Sequence, residues 1–70
     1  MLPLCLAKKG ETVIVRKITG TDQVMQHLAE LGFVVGSSLT VVNTLGGSLI
    51  LQVKDSRIAL DKALAQRIMF

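Results

Sequence analysis

Aromatic residues are nearly missing from this chain, which has two phenylalanines and neither tryptophan nor tyrosine. So few rings cannot build a base-stacking platform or an aromatic groove for proline-rich peptides. A single cysteine excludes an internal disulfide and favours the reducing cytoplasm as the compartment. No apolar run reaches the length of about 18 residues that a membrane-spanning helix needs. The sequence therefore predicts a cytoplasmic protein with no direct membrane insertion.

Apolar residues make up 50% of the chain, which predicts a folded domain with a small core. A length of 70 residues leaves room for one domain, over residues 1–70, and not for a two-lobed enzyme. The formal net charge of +3 is spread over scattered basic residues. A charge this modest, without aromatics to stack bases, argues against nucleic acid as a partner.

Glycines divide the chain into apolar segments of strand length. We predict strands over Leu4–Ala7 and over Thr12–Ile18, the second because it is rich in β-branched residues. Two more are expected at Arg57–Leu60 and in the C-terminal run Ile68–Phe70, on either side of a short helical turn near residues 61–65. The pattern predicts a mainly β fold, a small SH3-like barrel of five to six short strands with one inserted α-helix.

The inserted helix is indicated by a change of period. Val24, Leu28 and Leu31 recur at i, i+4 and i+7, which predicts an amphipathic helix over about residues 21–31. Gly32 can take the left-handed conformation that ends such a helix.

Two further strands, roughly Ser38–Thr44 and Ser48–Lys54, are predicted to form a hairpin. Their apolar residues share one face only if the loop has an odd number of residues, which we expect to be Leu45–Gly47. This register places Val42 opposite Ile50 on the outer face of the sheet. Such a pair lies either beneath another element or in a contact surface, so Val42 and Ile50 are candidate partner-binding residues.

His27 is the only histidine, and helical spacing places it with Gln23 and Glu30 on one flank of the predicted helix. Imidazole and carboxylate groups bind divalent transition metals, so His27 and Glu30 are candidate ligands for Fe²⁺ or Zn²⁺, and Gln23 is a candidate partner contact. Two strong ligands do not complete a site. Metal would bind weakly or be shared with a partner, and a solvated helix face with an incidental His–Glu contact is the simpler interpretation.

No arrangement of residues indicates catalysis. The chain has no nucleophile elbow, and Gly46–Gly47 lacks the lysine and hydroxyl residue of a phosphate-binding loop. Cys5 lies among apolar residues without a second cysteine or a nearby histidine, which favours a small buried hydrophobe over a reactive thiol. We therefore predict a protein that is not an enzyme and requires no cofactor.

The most diagnostic stretch is residues 27–37, HLAELGFVVGS, in which Leu-Ala-Glu-Leu-Gly is followed by a second glycine four residues later. Ile58–Leu60 and the later Ala65 and Ile68 continue the pattern. In these features, and nearly end to end, the chain resembles the FeoA family, small cytoplasmic proteins that accompany the bacterial ferrous iron transporter. The FeoA fold is also similar to the C-terminal SH3-like domain of iron-dependent repressors. One departure is Val35, where the family often carries a proline.

The resemblance implies a non-enzymatic accessory protein that binds the cytoplasmic part of the transporter, which contains a GTP-binding domain. It would then work in the cytoplasm, held at the inner face of the membrane through the transporter. The alternative is a stand-alone SH3-like regulatory module related to the repressor domains, which binds a peptide or a metal. Edge strands in so small a sheet also allow a homodimer.

Overall fold

The computed structural model describes residues 1–70, which form six strands, two α-helices and one 3-10 helix. The elements in chain order are a 3-10 helix (Leu4–Leu6), β1 (Thr12–Ile14), β2 (Lys17–Ile18), α1 (Asp22–Glu30), β3 (Ser38–Leu45), β4 (Ser48–Val53), β5 (Ser56–Asp61), α2 (Lys62–Ala65) and β6 (Ile68–Met69). The strands form an antiparallel four-stranded sheet in the order β1-β3-β4-β5 and an antiparallel two-stranded sheet, β2-β6. The mainly β fold class is confirmed, with the strands in two sheets and not in one closed barrel.

The core lies on one face of the four-stranded sheet and contains 14 buried residues, all of them apolar. Along β4 every second residue is buried, namely Leu49, Leu51 and Val53. This period of two is what a strand with one face on a core requires. The inner face of the hairpin was therefore predicted correctly.

The predicted strand over Leu4–Ala7 is wrong, because this segment turns as a 3-10 helix. The N–H of Leu6 donates to the carbonyl of Pro3 at 3.0 Å, and the N–H of Ala7 donates to that of Leu4 at 2.9 Å. Leu4 and Ala7 are both buried while Leu6 is exposed. Residues three apart share one side of a 3-10 turn, so the turn buries both apolar side chains without a strand partner.

The predicted strand over Thr12–Ile18 is divided in two. The N–H of Val15 donates to the carbonyl of Ser37 at 2.9 Å, which continues the four-stranded sheet. The N–H of the next residue, Arg16, donates to the carbonyl of Met69 at 2.8 Å, which belongs to the other sheet. The chain thus passes from one sheet to the other within one β-branched run.

Helix α1 follows the prediction. Its N-cap is Thr21, whose Oγ1 accepts from the N–H of Val24 at 3.3 Å. Gly32 ends it with φ of +101°, and the N–H of Phe33 then donates to the carbonyl of Leu28 at 2.9 Å. Phe33 and Leu28 are both fully buried, so the end of the helix is tied to the core.

The predicted three-residue loop Leu45–Gly47 is wrong. Leu45 pairs with Ser48, which leaves a two-residue turn of Gly46 and Gly47, and Gly46 has φ of +57°. A positive φ at the first central residue is the condition of a tight hairpin turn, and glycine meets it without steric cost. With this turn alone, the apolar residues of β3 and β4 would face opposite sides of the sheet.

A β-bulge at Val42 restores the common face. Val41 pairs with Leu51 as predicted, but the next pair is Asn43 with Ile50, so Val42 is one extra residue in β3. The prediction that Val42 lies opposite Ile50 is therefore wrong. The core residues of the hairpin are therefore those predicted, but the extra residue that gives them a common face lies in β3 and not in the loop.

The C-terminal third agrees with the prediction and extends it. β5 is longer than the expected Arg57–Leu60, and the helical turn is α2. Asp61 caps α2 by accepting from the N–H of Leu64 at 2.8 Å. The final strand is β6, and beyond it Phe70 exchanges backbone hydrogen bonds of 2.8 Å with Leu2.

Candidate functional site

Two surfaces carry the residues that the sequence singled out, and the first is the outer face of the four-stranded sheet. Ile50 lies there between Asn43 of β3 and Ala59 of β5. Val42 lies at the bulge beside them, and both Val42 and Ile50 are half-buried. They are near neighbours across the two strands, although they do not form the directly opposed pair that was expected.

A polar row crosses the same face next to Ile50. The hydroxyls of Thr12 and Thr40 are 2.8 Å apart, and Nε of Arg57 donates to Oε1 of Gln52 at 3.0 Å. Nε2 of Gln52 donates in turn to the carbonyl of Lys54 at 2.8 Å. Because Thr12, Thr40, Gln52 and Arg57 follow one another across all four strands, this part of the face is polar and held in place by its own hydrogen bonds. The apolar part of the outer face is correspondingly small.

The second surface is the flank of α1. Gln23, His27 and Glu30 are all exposed, as the helical spacing predicted. The helix attaches through its other side, where Leu28 is its one buried residue. The flank is thus presented to solvent and takes no part in holding the helix to the sheet.

His27 and Glu30 do not belong to a larger ligand cluster. No group of three or more His, Cys, Asp or Glu side chains comes together in a way that could hold a metal ion. The predicted metal ligands therefore stay a two-residue arrangement on an open helix face. Cys5 is half-buried and unbonded to another cysteine.

A third surface was not singled out from the sequence. Val34 and Val35 are 45% and 64% exposed, and Ile14 is 47% exposed. The N–H of Gly36 donates to the carbonyl of Val15 at 2.8 Å, which holds the turn after α1 against the end of β1. These three apolar residues thus lie at one corner of the molecule. The sequence contains a signal for this surface, because residues 33–35 are all apolar and only Phe33 is buried in the core.

The turn at this corner explains the departure at Val35. The N–H of Ser37 donates to the carbonyl of Val34 at 3.0 Å, and Gly36 has φ of +94° in the third position of the turn. A β-turn with a positive φ at its third residue accommodates proline at its second, and Val35 occupies that second position. A proline is therefore compatible with this turn, and valine leaves it less rigid.

The structure has no helix that is both long enough and apolar enough to cross a membrane.

Comparison with known proteins gives one consistent result. The sequence model of the FeoA domain family matches residues 2–70 of the chain. A Methanocaldococcus jannaschii protein with the provisional name Fe(2+) transport protein A is 44% identical over 69 residues, which are 99% of this chain and 84% of that protein. Both matches extend over nearly the whole sequence.

Solved structures agree with the family match. The crystal structure of an iron uptake regulatory protein, FeoA, superimposes with a TM-score of 0.90 at 32% identity, over 97% of this chain and 90% of that one. A zinc complex of Stenotrophomonas maltophilia FeoA, a procaryotic SH3 domain protein, superimposes with a TM-score of 0.85 at 27% identity, over 99% of this chain and 88% of that one. The SH3-like character of the fold is thereby confirmed.

The fold also occurs inside a larger protein. A manganese-dependent transcriptional repressor superimposes with a TM-score of 0.86 at 23% identity, over 94% of this chain but only 38% of the repressor. At this identity the likeness concerns the fold alone. The expected relation to a domain of metal-dependent repressors is confirmed at that level.

Proposed function

The chain belongs to the FeoA domain family, and on that premise we propose that it is a non-enzymatic accessory protein of ferrous iron uptake that binds the cytoplasmic part of the iron transporter. The proposal is supported by a family match over residues 2–70 and by the 44% identity to a protein named for Fe(2+) transport. On this proposal the protein works in the cytoplasm and reaches the inner face of the membrane only through the transporter.

We propose that the docking surface is the apolar part of the outer sheet face, formed by Val42 and Ile50. Gln23 of the helix flank is an additional contact. The observation that carries this choice is the bulge at Val42, which interrupts an otherwise regular ladder beside Ile50. Bulges are frequent next to functional sites, where they redirect a side chain. Half-buried Val42 and Ile50 need little additional desolvation, and their rotamers are already restricted by the sheet.

A binding experiment with the purified GTP-binding domain of the transporter tests this proposal. We expect Val42→Asp with Ile50→Asp to abolish binding, because the two carboxylates would be desolvated in the interface. Since both positions are half-buried, the milder pair Val42→Thr and Ile50→Thr keeps β-branched side chains and is expected to weaken binding by roughly tenfold. Val35→Asp, at an exposed apolar position in the turn after α1 and outside the strands that carry Val42 and Ile50, is the matched control and should bind like the parent protein.

Circular dichroism and thermal unfolding decide whether each variant is folded. If the folded threonine variant binds the domain as tightly as the parent protein, the docking surface is wrong. If the parent protein itself does not bind the domain at millimolar concentration, the accessory function is wrong.

A second candidate is a regulatory module that binds a divalent transition metal, Fe²⁺ or Zn²⁺, through His27 and Glu30. It is favoured by the exposed spacing of these residues on α1 and by the zinc complex of the S. maltophilia relative. Titration with each ion, followed by backbone amide shifts, tests it. Shifts confined to this part of α1 and lost in His27→Ala would support metal binding, whereas identical spectra with and without metal would refute it.

A further inference from the structure

β5 is the last strand of the four-stranded sheet and pairs with β4 alone. No backbone hydrogen bond outside that ladder reaches any of its six residues, Ser56–Asp61. Proteins often block an open edge with a proline or a β-bulge, and β5 has neither, because it contains no proline and its register with β4 is continuous. At the other edge β1 has only three residues, so β5 is the longer of the two open edges.

The register with β4 assigns each β5 residue to a face. Arg57, Ala59 and Asp61 alternate on the outer face and are all exposed. Leu60 is buried, and Ile58 packs against the core from the inner face. The outer face of the edge thus carries one positive charge, one small residue and one negative charge at equal spacing.

That spacing is self-complementary. In an antiparallel pair, two directly facing residues project to the same face of the sheet. If a second copy pairs through the same edge and continues the outer face of the first, outer-face residues must face outer-face residues. The two-fold axis therefore passes through a residue position and not between two residues. An axis at Ala59 places Arg57 of each copy opposite Asp61 of the other, which pairs opposite charges twice. An axis at Arg57 places two arginines opposite each other, and an axis at Ile58 brings Asp55 against Asp61. Opposite charges in directly facing positions stabilise a sheet, and like charges destabilise it.

Three alternatives remain. An axis at Leu60 would place Lys62 opposite Ile58 and Asp61 opposite Ala59, so it pairs no charges. An axis at Asp61 would place two aspartates opposite each other, and an axis at Ser56 would leave the second half of β5 without a facing β5 residue. The axis at Ala59 is therefore the arrangement that the sequence of β5 favours.

We propose that the protein forms a symmetric dimer in which the β5 strands of two copies pair antiparallel about Ala59. Both charged groups have the capacity for the new contact. Asp61 uses Oδ1 to cap α2, which leaves Oδ2 free. Arg57 uses Nε for Gln52, which leaves its two terminal amino groups free. The pairing therefore adds hydrogen bonds without removing those that the single copy already has.

Such a dimer joins two four-stranded sheets into one continuous sheet. Ile50 neighbours Ala59 on the outer face, so the half-buried apolar patches of the two copies would come together across the axis. The dimer would thereby present one larger surface where a single copy presents two small ones.

Sedimentation equilibrium up to millimolar protein concentration tests the dimer. In Ala59→Lys the two lysines face each other across the axis, and we expect the dimer dissociation constant to rise by roughly tenfold. Ser38→Lys is the matched control, because it places the same charge at an exposed strand position of β3 far from this edge. The control should dimerise like the parent protein.

Disulfide trapping tests the register, in a background in which the native thiol is removed by Cys5→Ala. Facing residues of an antiparallel pair have Cβ atoms about 5 Å apart, so Ala59→Cys is expected to give a covalent dimer on mild oxidation. In the same register the two copies of Arg57→Cys are separated by four residues of strand, about 13 Å, and should stay monomeric on oxidation.

A concentration-dependent dimer that is weakened by Ala59→Lys and trapped by Ala59→Cys supports the proposal. A monomer at every concentration overturns it. A dimer that responds equally to Ala59→Lys and Ser38→Lys, or that is trapped by Arg57→Cys and not by Ala59→Cys, also overturns it, because the contact would then lie elsewhere or in another register.

Discussion

The outer face of the four-stranded sheet and the flank of α1 both carry candidate binding residues, but they hold them differently. On the sheet, Gln52 and Arg57 are bonded to each other, and Ile50 is half-buried between two strands. On the helix, His27 and Glu30 project into solvent from an element with one buried residue. The side chains of the sheet face are restrained by hydrogen bonds and by neighbouring strands, whereas His27 and Glu30 make no side-chain hydrogen bond.

The difference predicts how each surface behaves in binding and in mutagenesis. Ordering a free side chain on binding costs about 0.5–1.5 kcal/mol, a cost that the sheet face has largely met during folding. Substitutions on the sheet are therefore expected to change stability and binding together. Substitutions at the exposed positions of the α1 flank are expected to change binding alone.

The largest expected effect concerns the attachment of the helix. Leu28→Ala removes the only fully buried side chain of α1, and we expect it to lower the free energy of unfolding by about 2–5 kcal/mol. Met25→Ala in the same helix is the control, since Met25 is 39% exposed, and its cost should stay below about 1 kcal/mol. Urea denaturation measures both. Equal losses in the two variants would show that α1 is not attached mainly through Leu28.

A smaller effect is expected at the start of the helix. Thr21→Ala removes the oxygen that accepts from the N–H of Val24, which should cost about 1 kcal/mol. Thr21→Ser keeps that oxygen and should be close to the parent protein in the same denaturation measurement. If Thr21→Ser loses as much as Thr21→Ala, the contribution of Thr21 does not come from the cap.

The smallest effect is expected on the sheet face, where each contact is one of many. Thr12→Val keeps the shape of the side chain but removes one partner of the hydroxyl pair with Thr40, and we expect a loss of about 0.2–1 kcal/mol. A double-mutant cycle with Thr40→Val isolates the pair. A coupling energy of zero would mean that the Thr12–Thr40 pair does not order this face, and the sheet face would then differ less from the helix flank.

Most of the fold could be predicted from the sequence because its signals are local. The period of Val24 and Leu28, the glycine at position 32 and the alternation along β4 each depend on a few neighbouring residues. They determined the helix, its end and the buried face of the hairpin correctly. The polar flank of α1 followed from the same helical geometry.

The errors arose where more than one local solution satisfies the same pattern. Leu4 and Ala7 are compatible with a strand and also with a 3-10 turn, and only the tertiary contacts select the turn. A bulge at Val42 and a longer loop correct the parity of the hairpin equally well, so the sequence could not distinguish them. The division of Thr12–Ile18 depends on which sheet offers a partner, which no local pattern contains.

An amide-shift titration of the isotope-labelled protein with the GTP-binding domain of the transporter identifies the surface that the domain contacts. We expect the largest shifts at the backbone amides of Val42 and Ile50, with smaller ones at Gln23. Shifts confined to the apolar corner at Val34 and Val35, or no shifts at saturating concentrations of the domain, would contradict this expectation.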